Sequence, residues 1–197
     1  MKSRYANRQN KATVTVVALS AAARRGWLRL GPLRFPCALG RGGSRLRKRE
    51  GDGATPIGCW PIEVVLYRPD KVTRPRTMLP VQRIGRMDGW CDAPGDRNYN
   101  RPVRHPYQAS AERLWRDDAL YDLVVVLGHN QRPRLRGCGS AIFMHVARPG
   151  YLPTEGCIAL ERGHLLRVLE RLGPGSILEV LPKWAADKKR PELSLRA

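Results

Sequence analysis

The sequence predicts a mainly β protein (α+β) in which two or three helices pack against a sheet. Seven short stretches are rich in β-branched or bulky residues and are separated by glycine and proline, which is typical of strands. Helical periodicity is clear in only two places. Because the helical stretches do not alternate with the strands, the order of elements does not favour a parallel βαβ fold.

The predicted strands show period-2 alternation or a continuous apolar run bounded by turn residues. They are ATVTVVAL (12–19), GWLRLG (26–31), LRFPCALG (33–40), CWPIEVVLYRP (59–69), YDLVVVLG (121–128), AIFMHVA (141–147) and SILEVL (176–181). The first follows a basic segment and resembles the apolar part of a signal peptide. Thr13 and Thr15 alternate with valines there, which favours a strand, so we find no convincing signal peptide. No apolar run reaches the ~18 residues that a membrane span needs.

Two stretches favour helices. SAERLWRDDAL (110–120) begins with a serine suited to an N-cap, and GHLLRVLERLG (163–173) has helical apolar spacing closed by glycine. Residues 82–110, which lie between the fourth predicted strand and the first of these helices, are rich in Gly, Pro, Asp, Asn and Arg. A loop of that length is typically functional, and its aromatic residues argue against disorder. We interpret it as a candidate lid.

The charge of the chain limits its partners. The formal net charge is +19, from 36 Lys and Arg against 17 Asp and Glu, and such a field attracts polyanions. Nucleic acid, an anionic membrane surface or an acidic wall polymer would each fit. A chain of 197 residues is long enough for one well-buried domain. We predict a single domain over 1–183 followed by a basic C-terminal tail, 184–197.

The cysteines point to thiol chemistry rather than to a disulfide framework. There are five, so at least one is unpaired, and none has C-x-x-C spacing. Cys157 follows Gly156 and directly precedes the second helical pattern, and His145 lies near the end of a predicted strand. A nearby imidazole or helix N-terminus would activate a thiol, of which only ~3% is ionised at pH 7. Amide groups at Gly156 and Cys157 suit an oxyanion hole. A buried structural cysteine is the alternative.

Longer motifs resemble the YkuD-type L,D-transpeptidase family. FMHVA (143–147) with PTEGCIAL (153–160) is similar to its active-site signature, and KREGDGATPIGCWPI (48–62) is similar to its K-x-G-D-G-x-T-P-x-G segment. GWCDAPGDRNYNRPV (89–103) and VVVLGHN (124–130) resemble stretches of one branch. The resemblance implies a β-sandwich-like L,D-transpeptidase domain at the cell envelope or in the periplasm, with peptidoglycan stem peptides as partners and without a cofactor or metal.

The resemblance also implies roles for individual residues. Cys157 matches the nucleophile that forms a thioester, His145 the residue that takes its proton, and Gly156 part of the oxyanion hole. Candidate substrate-binding residues are His129, Asn130, Glu155 and Arg148. The commonest family pattern has His where this chain has Glu155, and Arg where it has Ala159. These two departures leave open what orients the imidazole and which cation (Arg132, Arg136 or Arg148) holds the carboxylate of the donor.

Several functions follow from these observations. The first is an L,D-transpeptidase that transfers the acyl group to an amine, and the second is an L,D-carboxypeptidase or endopeptidase that transfers it to water. A basic nucleic-acid-binding protein is the alternative from another class, although we expect no nucleic-acid partner. A zinc site formed by His129, Cys138, His145 and Cys157 is a minor alternative. The sequence does not indicate an oligomeric state.

Overall fold

The computed structural model describes residues 11–182. This part of the chain contains fourteen strands, one α-helix and one short 3-10 helix at Pro149–Tyr151. The strands are β1 (Thr13–Ala18), β2 (Arg25–Leu30), β3 (Leu33–Ala38), β4 (Ser44–Arg45), β5 (Thr55–Pro56), β6 (Gly58–Tyr67), β7 (Val81–Arg83), β8 (Asp88–Cys91), β9 (Pro102–Arg104), β10 (Ala111–Arg113), β11 (Leu123–Leu127), β12 (Phe143–Val146), β13 (Ile158–Leu160) and β14 (Ile177–Leu181); the helix is α1 (Arg162–Leu169). The mainly β prediction is confirmed, and each of the seven predicted stretches contains a strand.

The main sheet closes on itself. Nine strands are hydrogen-bonded in the order β11-β12-β13-β3-β2-β1-β14-β6-β7, and β11 also pairs with β6. The two halves of the sheet therefore face each other around one apolar core, as expected for a sandwich-like fold. Alternation places Val16, Leu28 and Met144 in this core, and Leu165 and Leu169 of α1 pack onto it.

The outer face of β11 and β12 carries a second apolar cluster. Val124, Val126 and Phe143 point away from the main core and pack with Trp90 and Cys157. Strand β11 is thus buried on both faces, which explains its uninterrupted apolar sequence LVVVL. This second cluster is the floor on which the candidate site lies.

A small antiparallel sheet covers the second cluster. Its order is β10-β8-β9, and we call it the cap. The stretch 82–110 is therefore not an unstructured loop, because it contains β8, β9 and most of β7. Trp90 packs edge-on against Phe143 with ring centroids 5.2 Å apart, and its indole N–H donates to Asn100 Oδ1 over 2.9 Å. The role of the stretch 82–110 as a lid stays a prediction.

The prediction of two or three helices is wrong for the described chain. Residues 111–113 form β10, which pairs with β8, and the residues that follow form bends and a turn. Asp118 accepts hydrogen bonds from the Arg116 side chain and from the Leu120 amide, which favours a turn over helix continuation. Cys157 precedes strand β13 rather than a helix, since α1 begins only at Arg162. The expected helix N-terminus beside the thiol is therefore absent.

Two further predictions concern the ends of the chain. The basic tail, 184–197, lies outside the described residues, and the single domain over 1–183 stays a prediction. In residues 11–182, no helix has the length and apolar character needed to cross a membrane.

Candidate active site

A cavity of about 460 Å³ lies between the outer face of the main sheet and the cap. Cys157 and His145 both line it, together with the small side chain of Ala159. The parallel register of β12 and β13 pairs His145 with Ala159, two residues beyond Cys157. Because side chains two residues apart share a face, the thiol and the imidazole project from one face of the sheet into one cavity.

The Cys157 thiol is buried and hydrogen-bonded to backbone. Its Sγ donates to the Ala141 carbonyl over 3.2 Å and accepts from the Phe143 amide over 3.3 Å. Burial raises the pKa of Cys157 to about 12, and the Glu112 carboxylate acts in the same direction. At pH 7 the sulfur is therefore a protonated thiol.

The His145 ring is fixed by the backbone. Its Nδ1 lies 2.8 Å from the Val146 carbonyl oxygen, which can only accept, so Nδ1 carries the proton and Nε2 is left as an acceptor. Burial lowers the pKa of His145 to about 4, so the ring is neutral at pH 7. Tyr121 packs edge-on against it, with ring centroids 5.4 Å apart. Within residues 11–182 no hydrogen bond joins this ring to the thiol of Cys157.

Gly156 sets the backbone beside the thiol. Its φ is 134°, and a Cβ there would lie 2.8 Å from the Ala54 carbonyl oxygen, so only glycine fits without strain. Its amide donates to Thr154 Oγ1 over 3.2 Å, and the Thr154 hydroxyl donates to the Cys157 carbonyl over 2.7 Å. The Gly156 amide therefore already has a partner, and binding an oxyanion would require sharing that bond.

Glu155 does not orient the imidazole. Its side chain is 76% exposed and forms an ion pair with Arg41 over 2.7 Å at the mouth of the cavity. The Val146 carbonyl holds the imidazole instead. Among the candidate arginines, Arg148 lines the cavity, whereas Arg132 and Arg136 are not part of its lining.

His129 and Asn130 lie behind the wall of the cavity rather than in its lining. His129 Nε2 lies 3.0 Å from the Cys138 carbonyl, and its ring packs edge-on against Trp60. The Asn130 side chain donates to the carbonyls of Leu135 and Gly139. These contacts hold the loop that carries Ser140 and Ala141 into the cavity.

The zinc hypothesis finds no support in the described chain. Residues 11–182 hold no group of three or more His, Cys, Asp or Glu side chains placed to bind a metal. His129 contacts the backbone carbonyl of Cys138, and neither of these two residues lines the cavity. His145 and Cys157 do line it, so the four residues do not meet at one point.

Sequence reasoning missed a pair of residues in the cavity. The Tyr121 hydroxyl donates to Glu112 Oε1 over 2.6 Å, and both residues line the cavity. Arg116 lines it as well. The helix prediction hid this pair, because Glu112 belongs to strand β10. The short alternation around Glu112 is the one signal that indicates a strand.

The K-x-G-D-G motif forms another wall. Lys48 forms a buried ion pair with Asp52, whose carboxylate also accepts from the amides of Arg49 and Ala54. Glu50 lines the cavity and accepts hydrogen bonds from Tyr99 and Ser140. Glu50 and Gly51 of this motif therefore form part of the cavity wall.

The fold and the pocket define the class of protein. Its members have a closed β-sheet with a buried cysteine and a neutral histidine on one outer face. The L,D-transpeptidase catalytic domain family, YkuD, matches residues 14–180, and the chain belongs to this family. The comparison with curated proteins gave no match. Among solved structures, L,D-transpeptidase 3 from Mycobacterium tuberculosis is similar, with 15% identity and a TM-score of 0.41. The similarity covers 86% of this chain and 61% of that one.

Proposed function

We propose that this protein is an L,D-transpeptidase, a cysteine acyltransferase that forms or remodels peptidoglycan cross-links through a thioester on Cys157. Its family membership supports this activity. The observation that carries the proposal is the shared cavity, in which a protonated thiol and an imidazole with a free Nε2 project from one sheet face. The substrates would be peptidoglycan stem peptides at the cell envelope, in the service of cell-wall organisation and cell shape.

The first half-reaction transfers the acyl group to the enzyme. Cys157 Sγ forms a bond to the carbonyl carbon of the donor stem, and its proton passes to His145 Nε2. The C–N bond of the donor then breaks, and the leaving amine takes the proton from His145. We assign the backbone amides of Gly156 and Cys157 to the developing oxyanion, with the Gly156 amide sharing its bond to Thr154 Oγ1.

The second half-reaction regenerates the thiol. The amine of a neighbouring stem attacks the thioester carbonyl and gives a proton to His145 Nε2. The C–S bond breaks, and the sulfur takes that proton. Because the resting pair is neutral, we infer that the proton leaves Cys157 as the Sγ–C bond forms rather than beforehand.

A cation must hold the carboxylate of the donor, since Ala159 stands where the family commonly has arginine. We propose Arg148 for this role, because it lines the cavity and its charge acts on the neighbouring His145 ring. Arg116 also acts on that ring, but it is paired with Asp118 over 2.7 Å.

A hydrolase is the second candidate function. The same nucleophile would give an L,D-carboxypeptidase or endopeptidase if water replaced the amine as acceptor. The cap that covers the outer face of the sheet favours transfer, because a thioester survives longer where water is excluded. Incubation with purified stem peptides, with and without an amine acceptor, separates the two activities by their products.

The test of the nucleophile is intact-protein mass after incubation with a carbapenem, which acylates thiols of this type. We expect one adduct on the wild type and none on Cys157→Ala. Cys59→Ala is the matched control, because Cys59 is an exposed free thiol outside the cavity, and it should behave as the wild type. An adduct that persists on Cys157→Ala, or none on the wild type, contradicts the proposal and makes a nucleic-acid-binding function the one to pursue.

A further inference from the structure

The two ends of the cavity differ in charge. Among the charged side chains that act on Cys157, the Glu112 carboxylate is the strongest, followed by Lys48, which is paired with Asp52, and Glu155, which is paired with Arg41. Those that act on His145 are Arg148, Arg116 and Asp118, of which the last two are paired with each other. Glu112 and Arg148 both line the cavity. Their opposite charges, one acting on the thiol and one on the imidazole, give a bound molecule with both charges one preferred orientation.

Glu112 is held rigidly at the acidic end. It lies in β10, where it pairs with Trp90 of β8, and its carboxylate accepts the 2.6 Å hydrogen bond from Tyr121. Tyr121 in turn packs against His145. A carboxylate that a buried tyrosine holds in place presents its charge at a fixed position.

A second carboxylate lies on the same face of the cap. Asp92 follows β8 two residues after Trp90, which pairs with Glu112, so Asp92 and Glu112 share a face and both line the cavity. Asp92 Oδ1 is buried without a hydrogen-bond partner among residues 11–182. Burial raises the pKa of Glu112, and the carboxylates of Asp92 and Asp118 act in the same direction, whereas the Tyr121 hydrogen bond and the charge of Arg116 favour its ionised form. The described chain thus leaves this end with acceptor capacity to spare.

We propose that Glu112, positioned by Tyr121, is a specificity-determining residue that favours substrates carrying a cationic group beside Cys157. Within the proposed function, on which this inference rests, that group is the amino group of the acyl acceptor, which binds as an ammonium and loses one proton to solvent before the neutral amine attacks the thioester. The carboxylate attracts the ammonium to the end of the cavity where the thioester forms. An anionic or neutral acceptor gains no such attraction, so Glu112 selects for amine-bearing acceptors.

The test compares two thiol reagents of opposite charge on the full-length protein. Trimethylammonioethyl methanethiosulfonate is cationic and sulfonatoethyl methanethiosulfonate is anionic. In both cases a new S–S bond forms to Sγ, the S–S bond of the reagent breaks, methanesulfinate leaves with the electron pair, and the thiol proton goes to solvent. Peptide-resolved mass spectrometry gives the rate at each cysteine separately.

The exposed Cys59 serves as the internal reference, because it experiences the same overall net charge of +19. We expect the cation-to-anion rate ratio at Cys157 to exceed that at Cys59 in the wild type. In Glu112→Gln the ratio at Cys157 should fall about fivefold, as expected for loss of one nearby charge, while the ratio at Cys59 is unchanged. Glu170→Gln, an exposed carboxylate at the end of α1, is the matched control and should keep the wild-type ratios.

A ratio at Cys157 equal to or below that at Cys59 in the wild type overturns the inference, whether or not the variant folds. A ratio that Glu112→Gln leaves unchanged overturns it as well. Failure of the proposed function is distinguishable. A carbapenem adduct on Cys157 without any preference for the cationic reagent rejects the role of Glu112 alone. A Cys157 that reacts with neither the carbapenem nor the thiosulfonates rejects both.

Discussion

At the scale of single residues, the resting site holds its proton on sulfur. Cys157 and His145 were predictable from their motifs, but their protonation states were not, because burial determines these and burial depends on the whole fold. A sequence pattern of Cys and His suggests a thiolate–imidazolium pair. The structure instead has a thiol held by the Ala141 carbonyl and an imidazole held by the Val146 carbonyl. The imidazole therefore stays neutral to a lower pH than a free histidine would.

Stability should depend on pH through this histidine. The folded pKa of His145 is lowered to about 4, from 6.5 in the unfolded chain, so the unfolded state binds the proton first as the pH falls. The free energy of unfolding should decrease between pH 6.5 and 4, by up to about 3 kcal/mol from this group. Urea denaturation at pH 7 and pH 5 measures the loss.

The variants separate His145 from other acid-sensitive groups. His145→Gln should lose part of the pH dependence, whereas His164→Gln, a partly exposed histidine of α1 that lies outside the cavity, is the control and should change it less. His129 contributes in the same direction, since burial also lowers its pKa, so some dependence should persist in His145→Gln. Identical pH dependence in the wild type and His145→Gln would show that the ring is not a buried neutral base.

At the scale of elements, strands were predictable and the cap was not. The strands of the main sheet are apolar or alternating, and that pattern is local. Strands β8, β9 and β10 are three or four residues long and contain polar residues, so they form only because they pair with one another and cover Phe143. The sequence predicts a helix at Glu112 for the same reason, since its charged neighbours fit a helix surface as well as a strand edge.

Asn100 is the contact that attaches the cap to the wall of the cavity. Its side-chain amide donates to the carbonyls of His129 and Asn130, and its Oδ1 accepts from Trp90 and from the Ala141 amide. Asn100→Ala leaves these buried groups without partners and should reduce the free energy of unfolding by about 3 kcal/mol.

Asn100→Ala should also slow carbapenem acylation of Cys157. Asn100 holds the Ala141 amide, and the Ala141 carbonyl accepts the hydrogen bond from the Cys157 thiol. Asn98→Ala is the control, since within residues 11–182 the Asn98 side chain donates to the Tyr107 hydroxyl alone, and its backbone amide, which alanine keeps, donates to Asp96. It should change urea stability by less than about 1 kcal/mol. Equal effects of the two substitutions on acylation would mean that the cap does not position the thiol.

At the scale of the whole molecule, the net charge of +19 suits attraction to a polymer of carboxylates. If the wall is that polymer, the full-length protein should sediment with purified peptidoglycan at about 50 mM salt and bind at least about tenfold more weakly at about 500 mM, where charges are screened within a few ångströms. Cys157→Ala should bind as the wild type, because the attraction is independent of acylation. Peptidoglycan whose carboxylates have been amidated is the matched control and should bind weakly at either salt concentration. If duplex DNA binds the protein more strongly than untreated peptidoglycan does at the same charge concentration, the nucleic-acid alternative is favoured. If salt does not weaken binding to peptidoglycan, the net charge has no part in locating the substrate.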